Sequence, residues 1–208
     1  MRKSLLTATA LLSSLPAAAF AQTNVVATIG MVGDIAANVG GECVEVTTMM
    51  GPGIDPHLYQ ATARDVQTLN GAEIILYSGY SLEGQLADVL ARLADRIPTL
   101  AVSESAVPEA DLVATDDEYG FDPHVWMDAE LWSRTVPVIA SALAERAPDC
   151  ADAINQRAAD YQAQLLALDA WVEATITSIP EAQRALVTAH DAFAYFGRAY
   201  GIKVAGIQ

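Results

Sequence analysis

The chain alternates between short apolar runs, rich in β-branched residues, and longer segments whose apolar residues recur at helical spacing. The apolar runs predict strands at residues 25–29, 44–49, 73–77 and 99–102. The segments between them predict helices at residues 31–39, 63–69 and 82–94, of which the last is clearly amphipathic. Strands that alternate with helices at this spacing indicate βαβ units, so we expect an α/β fold with a mainly parallel sheet.

The pattern changes after Asp116, where an acidic loop replaces the strand–helix alternation. Residues 129–146 predict a helix with Pro137 in its first half, and residues 149–179 predict a longer helix that ends before Pro180. The second helix, at roughly 30 residues, is well above the usual length of about a dozen. We therefore interpret it as a stiff connector between two α/β segments. Beyond it, the sequence predicts strands at residues 185–188 and 202–207 and a helix at residues 191–200.

These segments predict two α/β lobes joined by one long helix, with the second lobe truncated in this chain. The expected order is a signal peptide at residues 1–21, an N-terminal lobe at 22–147, the connecting helix at 148–180 and the start of a C-terminal lobe at 181–208. The last segment holds a single βαβ unit, which leaves apolar sheet faces and helix stripes with nothing to pack on.

The N-terminus has the features of a cleavable signal peptide. Arg2 and Lys3 precede an apolar run at residues 5–19, and Ala19-Phe20-Ala21 fits the A-x-A cleavage pattern. A buried or membrane-spanning helix is the alternative, but the run is short for a bilayer span. No cysteine ends this segment, so we expect a periplasmic protein that carries no lipid anchor.

The charge of the chain argues against one large class of function. The 208 residues carry a formal net charge of −15. Nucleic-acid binding requires basic surface that neutralises phosphates, so we expect no nucleic-acid partner. The same acidity attracts cations, although only diffusely.

The two cysteines leave two arrangements open. Cys43 and Cys150 are far apart in the sequence and lack C-x-x-C spacing, which argues against a redox motif or a structural zinc site. Disulfides persist in the compartment that the signal peptide predicts. The pair therefore forms either one disulfide or two separately buried thiols, because the sequence does not give their separation.

The three histidines are the strongest candidates for chemistry. His57 ends Asp55-Pro56-His57, His124 ends Asp122-Pro123-His124, and His190 follows the predicted strand at residues 185–188. Ligands of parallel α/β folds gather beyond the carboxyl ends of the strands, so we expect the three imidazoles to form one metal site. The proline stiffens the approach to each ligand. The preceding Asp is suited to accept a hydrogen bond from the imidazole N–H that a metal does not use.

Two alternatives accompany the metal site. Each histidine taken singly also fits a surface or helix-capping residue, but the repeated tripeptide favours a shared site. Three histidines can also hold a zinc ion that activates water, which would make the protein a hydrolase. Neither H-E-x-x-H nor H-x-E…P-C-x-x-C occurs, and Asp191 does not face its sequence neighbour His190 on a starting helix. We therefore expect a binding protein and not an enzyme.

Three motifs carry a resemblance to a known family. MMGPGIDPHLY at residues 49–59, DPHVWMD at 122–128 and TAHDAFAYFGRAYG at 188–201 resemble, in order, the ligand motifs of the zinc/manganese solute-binding proteins of ABC importers. These are periplasmic metal receptors with a helical backbone. The resemblance runs from residue 25 to residue 208 and implies two Rossmann-like lobes, one rigid connecting helix and a metal at the lobe interface.

The same resemblance implies the ligands and the partners. It assigns metal binding to His57, His124 and His190, and it implies a fourth ligand, an Asp or Glu, beyond Gln208. It further implies a monomer that captures a divalent transition metal and delivers it to the membrane permease of an ABC importer. An adhesin or surface-structural role, proposed for some members, is a third possibility.

The metal itself follows from the ligand types. Histidine at the third position resembles zinc receptors and some mixed receptors, whereas many manganese or iron receptors have Glu there. Three nitrogens and one carboxylate suit tetrahedral Zn²⁺, and more oxygen would favour Mn²⁺. Zinc specialists often carry a His-rich loop before the second ligand, but residues 112–120 are acidic and contain no histidine. We expect Zn²⁺, with Mn²⁺ or Fe²⁺ as the alternative.

Overall fold

The computed structural model describes residues 21–116 and 120–206, so the predicted signal peptide lies outside the described residues except for Ala21. The strands are β1 Thr23–Ile29, β2 Val44–Met50, β3 Ile74–Tyr77, β4 Thr99–Ala101, β5 Ala185–Thr188 and β6 Lys203–Gly206. The helices are α1 Gly30–Gly40, α2 Ala63–Asn70, α3 Ala87–Ala94, α4 Val102–Ala106, α5 Ala129–Ser133, α6 Thr135–Arg146, α7 Ala151–Thr177 and α8 Ala194–Tyr200. Within these residues, none of the helices has the length and apolar character that a bilayer span requires.

The strands form two parallel sheets. The larger sheet has the order β2-β1-β3-β4, and β5 pairs with β6 in the second. Parallel pairing aligns Val25 of β1 with both Val46 of β2 and Ile74 of β3. β1 and β3 are buried along nearly their whole length, because helices cover both faces of a parallel sheet, and this is why they read as continuous apolar runs. The predicted α/β class with a parallel sheet is confirmed.

Helix α7 packs against α1, α5 and α6. In the sequence, it follows the strands of the larger sheet and precedes those of the second. Its Arg157 donates hydrogen bonds to the carbonyl oxygens of Val39 and Gly40, at 2.7 and 2.6 Å, and so satisfies the last turn of α1. A disulfide joins Cys43, just after α1, to Cys150, just before α7. Of the two arrangements of the cysteines, the structure therefore contains the disulfide. The lobe boundaries drawn from the sequence stay predictions.

The helix predicted at residues 129–146 is two helices, interrupted at Arg134. Pro137 has no backbone N–H and its ring clashes with the carbonyl four residues earlier, so a continuous helix through this point is disfavoured. That carbonyl belongs to Ser133, and it accepts a hydrogen bond from Gln162 Nε2 on α7 at 3.2 Å. Because Pro137 has no N–H that could occupy it, this carbonyl is free to accept the polar contact from α7.

Two other predicted helices begin later than expected. The helix predicted from residue 82 begins as a 3-10 turn at Gly84 and becomes α3 only at Ala87, because residues 79–81 form a tight turn with positive φ. The helix predicted from Asp191 begins at Ala194. His190 therefore lies in the loop before α8 and not at a helix start.

Candidate metal centre

His57 lies in the middle of the loop between β2 and α2. Asp55 Oδ1 accepts a hydrogen bond from the His57 backbone N–H at 2.9 Å, which forms a local turn across Pro56. Asp55 is exposed, and its carboxylate holds the backbone of His57. The imidazole is half-buried and points its Nε2 towards His124.

His124 is held more firmly. Asp122 Oδ1 accepts the His124 backbone N–H at 2.9 Å and lies 2.6 Å from the ring Nδ1. Because a carboxylate only accepts hydrogen bonds, Nδ1 carries the proton and Nε2 keeps its free lone pair. Asp122 and His124 are 6 % and 5 % exposed, so this pair is shielded from water. The ring of Trp126 contacts His124 edge to face, with centroids 5.3 Å apart.

The main-chain carbonyl of Asp122 has its own partner from a distant element. The hydroxyl of Tyr195, on α8, donates to this oxygen at 2.7 Å and accepts the backbone N–H of Val113 at 3.2 Å. Tyr195 is fully buried, and burial is the main cause that raises its pKa to about 12. The residue therefore acts as a neutral donor at every physiological pH.

His190 lies in the loop between β5 and α8 and is exposed. Its carbonyl oxygen accepts the hydroxyl of Thr188 at 2.7 Å and the backbone N–H of Ala192 at 3.1 Å. These contacts fix the conformation of the short turn, residues 188–192, that carries the imidazole.

The structure brings all three predicted histidines together. His124 Nε2 lies 3.2 Å from Nε2 of His57 and 3.2 Å from Nε2 of His190. One nitrogen from each ring lies within 4.8 Å of the other two. Two nitrogens bound to a tetrahedral Zn²⁺ at about 2.0–2.1 Å would be about 3.3 Å apart, so the spacing suits that ion. Burial, and next the neighbouring His124 ring, lower the pKa of His57, which favours the neutral form that a metal requires.

The three rings border a cavity of about 390 Å³. Its other walls are largely apolar and include Met31, Met50, Ile54, Trp126 and Phe193. Apolar walls restrict water around the nitrogens and strengthen electrostatic interactions inside the cavity. Within residues 21–116 and 120–206, the trio is the one group of at least three His, Cys, Asp or Glu that could hold a metal ion.

Residues 25–208 match the family described as ZnuA, "Zinc-uptake complex component A periplasmic". The chain belongs to the ZnuA family. It is 45 % identical over 187 residues to the "Manganese-binding lipoprotein MntA" of Bacillus subtilis, and 44 % identical over 192 residues to the "Zinc-binding protein TroA" of Treponema pallidum. These matches cover 90 % and 92 % of this chain.

A solved structure of the periplasmic zinc-binding protein TroA from Treponema pallidum has the same fold. It superposes with a TM-score of 0.86 and 42 % identity, over 89 % of this chain and 66 % of the other. The ZnuA-family chain spans 61 % of the length of MntA and 62 % of that of TroA. The resemblance to periplasmic metal receptors is confirmed. The expected absence of a lipid anchor is not supported, because MntA is named a lipoprotein.

Sequence reasoning missed two groups that support the histidines. Tyr195 looked like an ordinary helix residue, and Glu83 and Gly84 looked like the first turn of a helix. Tyr195 lies within the third family motif, at residues 188–201, but only the long-range contacts of these residues reveal what they do.

Proposed function

We propose that His57, His124 and His190 together bind one Zn²⁺ ion, which is the cargo of a transport receptor. The observation that carries this proposal is the convergence of three Nε2 atoms at a spacing suited to one tetrahedral ion. Three neutral imidazoles supply all the nitrogen ligands, and Asp122 orients the central one. The expected fourth ligand is a carboxylate beyond Gln208.

Zinc is preferred to manganese because of the donor atoms. Imidazole nitrogen suits Zn²⁺, whereas Mn²⁺ prefers carboxylate, carbonyl and water oxygens. The relatives divide between the two metals, since TroA is named for zinc and MntA for manganese. Mn²⁺, or Fe²⁺ in its place, is therefore the alternative cargo of the same receptor.

A receptor fits this site better than a hydrolase does. A catalytic zinc needs an open coordination position and a general base that can reach the bound water. Among the described residues, the metal-binding group consists of histidines, and the carboxylate of Asp122 is hydrogen-bonded to the far side of a ligand ring. The arrangement is suited to hold an ion and lacks a base directed at it within the described ranges.

The wider role follows from family membership. We propose that the protein works in the periplasm as a monomer and passes its ion to the membrane permease of an ABC importer. The lobes would comprise residues 22–147 and residues from 181 onwards, with α7 as the rigid connector. An acidic surface, with a net charge of −15, would raise the local concentration of cations.

The deciding experiment measures the metal bound to the protein purified from the periplasm, followed by titration of metal-free protein with Zn²⁺ and with Mn²⁺. We expect one zinc per chain and no hydrolysis of ester, amide or phosphate substrates. His57→Ala, His124→Ala and His190→Ala should each weaken Zn²⁺ binding, while Leu58→Ala should not. Leu58 is a suitable control because it adjoins His57, is 71 % exposed and offers no ligand atom. Unchanged affinity in the histidine variants would refute the site, and bound manganese would refute the metal.

A further inference from the structure

The turn between β3 and α3, residues 78–84, has a backbone that is unusual for its sequence. Four of its residues have positive φ: 91° at Gly79, 50° at Tyr80, 61° at Ser81 and 43° at Gly84. Tyr80 and Ser81 carry side chains that disfavour this region, so the surrounding structure must impose the conformation. We call this segment the 78–84 turn.

One buried carboxylate holds the 78–84 turn closed. Glu83 is 2 % exposed, and its Oε1 accepts the backbone N–H of Ser78 at 2.6 Å and the hydroxyl of Thr28 at 2.8 Å. Its Oε2 accepts the backbone N–H of Gly79 at 3.1 Å. Burial raises the pKa of the Glu83 carboxyl. The side chain thus ties both ends of the turn to each other and to β1.

At Gly84, the 78–84 turn contacts the loop between β2 and α2, which carries His57. A Cβ atom at Gly84 would lie 2.3 Å from the carbonyl oxygen of His57 and 3.1 Å from its carbonyl carbon. Both neighbours are backbone atoms, so they cannot move aside as a flexible side chain would. The carbonyl of His57 therefore rests directly on Gly84, at a position where no other residue type fits.

We propose that the 78–84 turn is the platform that positions His57, and that Glu83 and Gly84 set the metal affinity without touching the metal. The turn supports the carbonyl side of His57, and Asp55 holds its amide side through the 2.9 Å hydrogen bond. Support on both sides fixes the direction in which the imidazole leaves the backbone. A ligand held in place before the ion arrives loses less conformational freedom on binding, which strengthens affinity. This inference rests on the proposed role of His57 as a ligand.

The first test compares Gly84→Ala with Gly201→Ala. Gly201 also has positive φ, 64°, but a Cβ atom there would meet nothing within 4 Å. Both variants introduce backbone strain, and only Gly84→Ala displaces the carbonyl of His57. Competition with a chromophoric chelator should show Zn²⁺ binding weakened roughly tenfold in Gly84→Ala, in the range known for residues that orient metal ligands. Gly201→Ala should bind as the unaltered chain does.

The second test asks whether Gly84 acts through His57. Gly84→Ala is repeated in a His57→Ala background, and the two losses of affinity are compared as a double-mutant cycle. If Gly84 positions His57, its substitution changes nothing further once the imidazole is gone. Equal losses in both backgrounds would show general damage to the fold and would overturn the proposal.

Glu83→Gln provides an independent variant if Gly84→Ala fails to fold. The amide keeps the size of the side chain but presents an N–H₂ group to backbone donors, so the 78–84 turn should loosen and Zn²⁺ affinity should fall, again only while His57 is present. Unchanged affinity in this variant would also overturn the proposal. An unaltered chain that binds no zinc, or a His57→Ala chain that binds it equally well, would instead refute the proposed function.

Discussion

At the scale of single residues, Asp55 and Asp122 form the same turn within their Asp-Pro-His tripeptides. Each carboxylate accepts the amide of the histidine two residues further on, at 2.9 Å in both cases. Only Asp122 also reaches the imidazole, with Oδ1 2.6 Å from Nδ1 of His124. The local sequence therefore builds the turn, and burial decides which carboxylate orients a ring.

Asp122→Asn should consequently weaken metal binding more than Asp55→Asn does. Asparagine can still accept the backbone amide, but it lacks the charge that strengthens the hydrogen bond from Nδ1 and raises the basicity of Nε2. We expect a loss of Zn²⁺ affinity of roughly 10- to 100-fold for Asp122→Asn, measured by chelator competition. Asp55→Asn is the matched control and should stay close to the unaltered chain. Equal effects of the two substitutions would contradict the assignment.

The lowered pKa of His57 predicts a specific pH dependence. Burial and the His124 ring hold this pKa below 6.5, so the imidazole stays neutral, and able to bind metal, at pH values where an ordinary histidine is already protonated. The unfolded chain takes up this proton more readily than the folded one. The contribution of His57 to the free energy of unfolding of the metal-free protein therefore diminishes as the pH falls below 6.5.

NMR titration of the histidine ring resonances checks this prediction. The resonance that disappears in His57→Ala should have a midpoint below 6.5. A midpoint at or above that value would show that the ring is less buried than the structure indicates.

At the scale of elements, helix α8 links the β5–β6 sheet to loops and helices of the preceding part of the chain. Tyr195 bonds to Asp122 and Val113, and Tyr200 accepts the amide of Ala129 at 3.1 Å while donating to Asp169 at 2.9 Å. Both hydroxyls lie on the side of α8 that faces the rest of the chain. The contacts hold α8, and the loop that carries His190, against the part that carries His124.

Tyr195→Phe should destabilise this connection. The ring still fills its place, but the buried carbonyl of Asp122 and the half-buried amide of Val113 lose their partner, and a buried group left unsatisfied costs about 1–3 kcal/mol. We expect the free energy of unfolding in urea to fall by roughly 2 kcal/mol, together with weaker Zn²⁺ binding. Tyr77→Phe, which removes the same atom from a half-buried ring on β3, is the control. Equal stability of the two variants would refute the role of the Tyr195 hydroxyl.

At the scale of the whole molecule, the disulfide and the metal centre lie at opposite ends of β2. Cys43 immediately precedes this strand, whereas the loop to His57 follows it. The bond joins residues 107 positions apart and so closes the chain from Cys43 to Cys150 into one loop. Its main effect should be on the stability of the fold and not on the site.

Replacing both cysteines by alanine tests this separation. Without the disulfide, the unfolded chain is no longer held in a closed loop and gains conformational entropy. For a loop of this length, we expect the free energy of unfolding to fall by about 4–5 kcal/mol. Urea unfolding of the double variant measures it, with the reduced form of the unaltered chain as the comparison. Zn²⁺ affinity, measured where the variant is still folded, should remain unchanged. A large loss of affinity without a loss of stability would show that the disulfide supports the site directly.

The sequence by itself determined the class of fold, the position of most elements and the three candidate ligands. Hydrophobic periodicity is local information, since it records which face of a strand or helix will be buried. The histidines were predicted from the repeated Asp-Pro-His tripeptide and from their position beyond strands, although β2 and β5 belong to different sheets. Even the long helix α7 was visible from its spacing alone.

The tertiary structure decided how the ligands are held. The 78–84 turn depends on a contact between Glu83 and Thr28, which are 55 residues apart, and the anchoring of Asp122 depends on Tyr195, 73 residues away. The break at Arg134 is compensated by Gln162 on another helix. Such contacts leave no periodic trace in the sequence, because each is a single polar pair whose partners meet only after the chain has folded. For that reason the three ligands and the Asp residues beside them could be predicted, while the distant residues that support them, Glu83 and Tyr195, could not.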